Sequence, residues 1–148
     1  MANRSSHKLL SCTDSFATGM SDLWLLVARV LLGVLFLMTV WTGGPAAAYL
    51  KTLNYPSPEL MAQLAHIVEW IVAISLILGV GTRYGALLGI VFVVIAFVTA
   101  HLYWQFPEAQ QNLQYVFLSK DLAITGGLVA LFATGAGRFS VDNTLAGK

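Results

Sequence analysis

Leu87-Leu88-Gly89-Ile90-Val91-Phe92-Val93-Val94-Ile95-Ala96-Phe97-Val98-Thr99-Ala100 carries no charge and no proline. Extended back to Thr82 and forward through His101, Tyr103 and Trp104, this stretch is long enough as a helix, at about 1.5 Å per residue, to cross about 30 Å of hydrocarbon. It has no polar face, so lipid or other apolar helices must surround it.

Three further segments read the same way. One runs from about residue 23 to 42, behind the Ser21-Asp22 capping pair and ahead of Gly43-Gly44-Pro45. A second runs from Pro58 to Leu78; Pro58 suits a first turn, and Gly79 and Gly81 close it. The last, 113–132, is interrupted near one end by Lys120 and Asp121. With 57% hydrophobic and 10% charged residues in 148, and a mean hydropathy of +0.75, the class is all-α. The expected architecture is an integral membrane four-helix bundle with spans at about 23–42, 58–78, 82–104 and 113–132. Residues 1–20 are expected as a mobile cytoplasmic tail, 21–142 as the bundle and 143–148 as a C-terminal tail.

Arg4, Lys8, Arg83, Arg138 and Lys148 fall on one side of these spans and only Lys51 on the other. The positive-inside rule then puts the N- and C-termini on the cytoplasmic side. Ala46-Ala47-Ala48 after an apolar run invites a signal-peptide reading, but the polar lead is long and Arg29 interrupts the run, so cleavage is not expected. A net charge of +1 with no basic run predicts no nucleic-acid partner. A single cysteine, Cys12, excludes dithiol chemistry by this chain alone and leaves an Fe-S cluster without ligands.

Six ionisable residues, Arg29, His66, Glu69, His101, Lys120 and Asp121, interrupt or border the spans. Such groups are costly in hydrocarbon and normally face a bundle interior or a wet cavity. Counting along the helices puts five of them in the outer half, with Arg29 apart in the inner third of the first span. Gln63, His66 and Glu69 are three apart and share a helix side. The expectation is a polar cavity opening outward, with Glu69, His66 and Asp121 as a proton relay. Lys120, His101, Trp70 and Tyr115 are the candidate substrate contacts. An ordinary Glu69–Lys120 ion pair holding the helices is the competing reading. Lys120 and Asp121 point about 100° apart, so only one of them can face a given partner. Arg29 reads as structural, snorkelling or bonded to a carbonyl. His66 and His101 differ in depth by about 7 Å, which argues against a haem held between them. No metal cluster or nucleotide loop is recognisable.

The run Ala28-Arg29-Val30-Leu31-Leu32-Gly33-Val34-Leu35-Phe36, then Ala47-Ala48-Tyr49-Leu50 and Tyr55-Pro56-Ser57-Pro58-Glu59, resembles the first third of DoxX family proteins. Val68-Glu69, Leu78-Gly79-Val80-Gly81-Thr82-Arg83, Lys120-Asp121-Leu122-Ala123 with Gly126-Gly127, and Gly137-Arg138-Phe139-Ser140-Val141-Asp142 continue the likeness in order, across about residues 28–142. The resemblance implies a four-helix protein of a bacterial or archaeal cytoplasmic membrane. It also implies kinship with the membrane subunit of thiosulfate:quinone oxidoreductase. Two departures matter. The Lys common in the family after the first span is missing from Thr39-Val40-Trp41-Thr42-Gly43, and the usual Lys-Asn is Lys120-Asp121. With neutral histidines, Glu69, Asp121 and Lys120 sum to minus one, which disfavours a dianion such as thiosulfate.

The leading expectation is therefore a subunit of a quinone-linked membrane oxidoreductase, not active alone, with quinone as candidate cofactor and no haem, Fe-S cluster or nucleotide. Its expected partners are the bilayer and other subunits of a redox complex, with a homo-oligomer as a further candidate. A non-catalytic accessory or assembly subunit, and a small transporter, are the alternatives.

Overall fold

The computed structural model describes residues 13–41 and 46–147. Cys12, Arg4, Lys8, the Gly43-Gly44-Pro45 stop and Lys148 lie outside the described residues. The elements are α1 (residues 13–19), α2 (Ser21–Trp41), α3 (Ala46–Thr52), α4 (Pro58–Leu78), α5 (Thr82–Ala100), a 3₁₀ turn at Tyr103–Gln105, α6 (Glu108–Thr134) and α7 (Val141–Ala146). Helices α2, α4, α5 with the 3₁₀ turn, and α6 are each long and apolar enough to cross a membrane. The fold is an all-α, four-helix membrane bundle, with large apolar side chains such as Leu31, Ile71, Ile95 and Leu122 exposed around it.

Helix α2 packs on α4, α4 on α5 and α5 on α6, and the ring closes with a thinner α2–α6 seam. The buried positions recur every three to four residues: Arg29, Gly33 and Phe36 on α2; Ala62, Glu69, Val72, Ala73 and Leu76 on α4; Thr82, Gly85, Ala86, Gly89, Val93 and Ala100 on α5. Small residues dominate these faces because helices in lipid associate through close backbone packing, without the hydrophobic drive that water supplies. A Cβ at Gly33 would sit 2.6 Å from Ile77 Cγ1, so α2 and α4 approach as closely as glycine permits.

Gly89 fixes a common level across the bundle. A Cβ there would meet Val72 of α4 at 3.3 Å and Leu128 of α6 at 3.1 Å. Around it Phe36, Val72, Ala73, Leu76, Ala86, Val93, Leu128 and Leu131 form one continuous apolar core. This Gly89 level is the zero of depth in the bundle.

At the end carrying Gly79, the chain after α6 folds back and closes the bundle. Arg29, 1% exposed, donates from Nη2 to the Phe139 carbonyl. Its guanidinium lies against Gly79, where a Cβ would fall 1.5 Å from Nη1 and φ is +70°. Only glycine meets both demands. Asp142 accepts the N–H groups of Gly81 at 2.7 Å and Thr82 at 3.0 Å, capping the start of α5, and returns its own N–H to the Gly79 carbonyl at 2.9 Å. Burial opposes the Asp142 charge, but the donors of Thr82 and Gly81 and the nearby charge of Arg29 outweigh it and hold the carboxyl below its ordinary value. Asp22 accepts the Arg138 N–H at 2.9 Å, which ties the same segment to the start of α2.

Candidate functional site

The ionisable residues form a rising series on one side of the core. Glu69 projects inward from α4, 9% exposed, three positions beyond Val72 and so about 4.5 Å above the Gly89 level. The Thr39 hydroxyl of α2, whose hydrogen goes to the Phe36 carbonyl at 2.6 Å, lies close to it, and His66, one turn further out on α4, is close enough to act on it electrostatically. Asp121 lies seven positions beyond Leu128 on α6, about 10.5 Å above the level, with Oδ2 buried and without a hydrogen-bond partner among the described residues. His101, at the end of α5, is twelve positions beyond Gly89, about 18 Å up, and interacts electrostatically with Asp121.

At the top of this series sits a connected polar group. His101 Nδ1 is 2.9 Å from Gln114 Oε1, Gln114 Nε2 donates to the Tyr49 hydroxyl at 3.3 Å, and Tyr49 donates to the Ala100 carbonyl at 2.6 Å. The imidazole is stacked on Tyr49 with ring centroids 6.2 Å apart, and tilted against Phe117 at 5.2 Å. Tyr49 comes from the short helix α3, outside the four spans. Burial pushes its phenol up from the ordinary value while the Gln114 hydrogen bond pulls the other way, so it stays a donor.

Sequence reasoning passed over Gln114 and Tyr49. Gln114 is 4% exposed, and the signal for it was spacing. Gln114, Asp121 and Leu128 are seven apart, two helical turns each, and so lie on one face of α6. The start of α6 at Glu108, ahead of the expected Leu113, brings that polar face into the bundle.

Several expected placements need correction. No ion pair joins Glu69 to Lys120, and among the described residues the salt bridge formed is Lys51–Glu59, at 2.5 Å on the surface. Lys120 is exposed, its Nζ lying 5.7 Å from the Phe117 ring centroid, so of the adjacent pair Asp121 turns inward and the lysine outward. Trp70 and Tyr115, expected as substrate contacts, are 41% and 56% exposed and face the membrane side, Tyr115 edge-on to Tyr103. In place of one open cavity, the polar residues form two stations, Glu69 with Thr39 and His66, and Asp121 with His101, Gln114 and Tyr49. Two open clefts, about 410 Å³ and 480 Å³, lie at the opposite end, around Gly81 and Tyr84. Arg29 is likewise at that end, on the far side of the apolar core, with Nε and Nη1 unpartnered among the described residues. No group of three His, Cys, Asp or Glu among the described residues is placed to hold a metal ion.

Comparison with known proteins agrees with this architecture. The inner membrane protein YqjF of Escherichia coli K12 is 31% identical over 131 residues, which cover 85% of this chain and 95% of that protein. The inner membrane protein YphA of the same organism is 30% identical over 124 residues, 80% of this chain and 87% of the relative. No solved structure matches the chain. These relatives and the four spanning helices make this a multi-pass protein of the inner membrane, in contact with the bilayer. The model of the DoxX family matches residues 24–102, which takes in α2 to α5 and both Glu69 and His101: the chain belongs to the DoxX family.

Proposed function

We propose that this protein is a membrane subunit of a quinone-linked redox complex, and that Glu69, Asp121 and His101 pass protons between the middle of the membrane and one surface. The observation that carries this reading is the ascending order of three ionisable side chains, at about 4.5, 10.5 and 18 Å, on one side of a continuous apolar layer. Proton transfer needs titratable groups in sequence, in a setting that shifts them from their solution behaviour. The apolar layer of Phe36, Val72, Leu76, Leu128 and Leu131 separates these groups from Arg29, so protons enter and leave by the same face. That arrangement suits a reaction centre fed from one side and disfavours transport across the membrane. By the excess of Arg and Lys at the other end, the fed face is the outer one. His66 tunes Glu69 from the neighbouring turn.

Lys120, Trp70 and Tyr115 belong in this reading to the surface that meets neighbouring subunits. An exposed lysine among apolar side chains is satisfied by a lipid headgroup or by a partner's carboxylate. The test is quinone-dependent turnover in membranes carrying Glu69→Gln or Asp121→Asn at wild-type protein level. A loss of at least tenfold is expected for each, and unchanged turnover in both would end the relay role. If activity survives these substitutions but not deletion of the protein, the accessory reading replaces it.

A further inference from the structure

The hydrogen bonds around His101 determine which of its two nitrogens carries the proton. Tyr49 has one hydroxyl hydrogen, and it is used on the Ala100 carbonyl, which can only accept. Toward Gln114 the phenol oxygen is therefore an acceptor, so the amide must present its NH₂ group there. The reversed amide would set two acceptors against a hydrogen already engaged. With NH₂ toward Tyr49, Gln114 turns its carbonyl oxygen to His101, and at 2.9 Å that oxygen requires a hydrogen on Nδ1. The neutral imidazole is thus held with Nδ1 protonated and with Nε2 as a bare lone pair. The Tyr49 and Phe117 rings fix the plane in which that lone pair points. No described residue hydrogen-bonds Nε2.

A second unpartnered atom lies in the same neighbourhood. Asp121 Oδ2 is buried and makes no hydrogen bond, and its carboxyl is close enough to His101 for the two to interact electrostatically. Buried polar atoms are nearly always satisfied, so an Asp121 Oδ2 left open in the same part of the bundle as the His101 lone pair is consistent with a group supplied from outside the chain. The position, about 18 Å from the Gly89 level, is at the end of the span, within reach of a headgroup whose tail lies among the exposed side chains.

We infer that this end of the site binds a hydroxyl-bearing headgroup, the quinol form and not the quinone, by an O–H hydrogen bond donated to His101 Nε2. The inference rests on the quinone-linked reading above and adds the redox state that the site recognises. A quinone headgroup offers carbonyl oxygens that only accept, and these would face another acceptor. A quinol supplies the missing hydrogen. Gln114 and Tyr49 act as positioning residues, setting the tautomer without touching the ligand.

Two measurements decide it. In protein labelled with ¹⁵N-histidine and held in lipid nanodiscs at mildly alkaline pH, the His101 signals, assigned by their loss in His101→Phe, should show a protonated Nδ1 and a bare Nε2. Gln114→Met, which removes the acceptor, should shift the population toward a protonated Nε2. A wild-type signal with the hydrogen on Nε2 overturns the inference. In the same nanodiscs decylubiquinol should bind at least tenfold more tightly than decylubiquinone, with the preference erased in His101→Phe. Equal binding of both forms, or tighter binding of the quinone, overturns the inference and leaves the quinone-linked reading standing. Binding of neither, with the Nδ1 tautomer observed, overturns the ligand assignment and that reading together.

Discussion

Asp142 and Gly79 show how much of this bundle's closure depends on single atoms. Replacing Asp142 by Ala removes the acceptor for two N–H groups at the start of α5, a loss of roughly 1–2 kcal/mol by analogy with other helix caps. Because the folded carboxyl titrates below its ordinary value, its contribution is complete above the unfolded value and disappears as pH falls through the folded one. The thermal midpoint of the wild type in detergent should therefore fall on acidification below the usual carboxylate range, and Asp142→Asn should lack that component. Gly79→Ala forces a methyl group onto Arg29 in a left-handed backbone conformation. The combined cost is roughly 2–5 kcal/mol, read as a lowered midpoint. Lys120→Gln, at an exposed position with no ion pair, should change stability by no more than about 0.5 kcal/mol.

The helices were legible because lipid imposes a simple rule: a span must be long and apolar, and its backbone must bond to itself. The same rule made Glu69 and Asp121 visible, since a charge in such a segment stands out. It could not say which way Lys120 and Asp121 face, because adjacent residues on a helix carry no direction until one partner helix is placed. Contact with α5 settles it, taking Gln114, Asp121 and Leu128 inward. The direction of Trp70 is hidden for the same reason: it neighbours Glu69 in sequence but lies about 100° around α4. Tyr49 was hidden for a different reason. It belongs to a seven-residue helix outside the spans, and only the tertiary fold carries it to the end of α5. Among the elements, the α2–α4 contact is one that leaves no room for a side chain. Gly33→Leu would drive a side chain into Ile77 and the Ala73 carbonyl, and a loss of about 1–3 kcal/mol with a disturbed Thr39–Glu69 contact is expected. A chemical-unfolding series comparing Gly33→Leu with Gly126→Leu, whose site has open space, measures the difference.

Taken whole, the molecule is polar at one end, sealed by apolar side chains across its middle, and closed at the other end by the chain that follows α6. On the proposed reading the four helices hold a half-path and not a channel, and proteoliposomes containing this protein alone should show no proton flux above that of empty vesicles. The central claim is that solvent reaches Glu69 through Asp121 and His101. Hydrogen–deuterium exchange of the Glu69 carboxyl tests it most directly, followed by infrared spectroscopy at a pH low enough to protonate the group, with its band identified by loss in Glu69→Gln. The account predicts rapid exchange in the wild type and in Lys120→Gln, slowed at least tenfold in the double variant Asp121→Asn with His101→Phe. Exchange at the same rate in that double variant would contradict it.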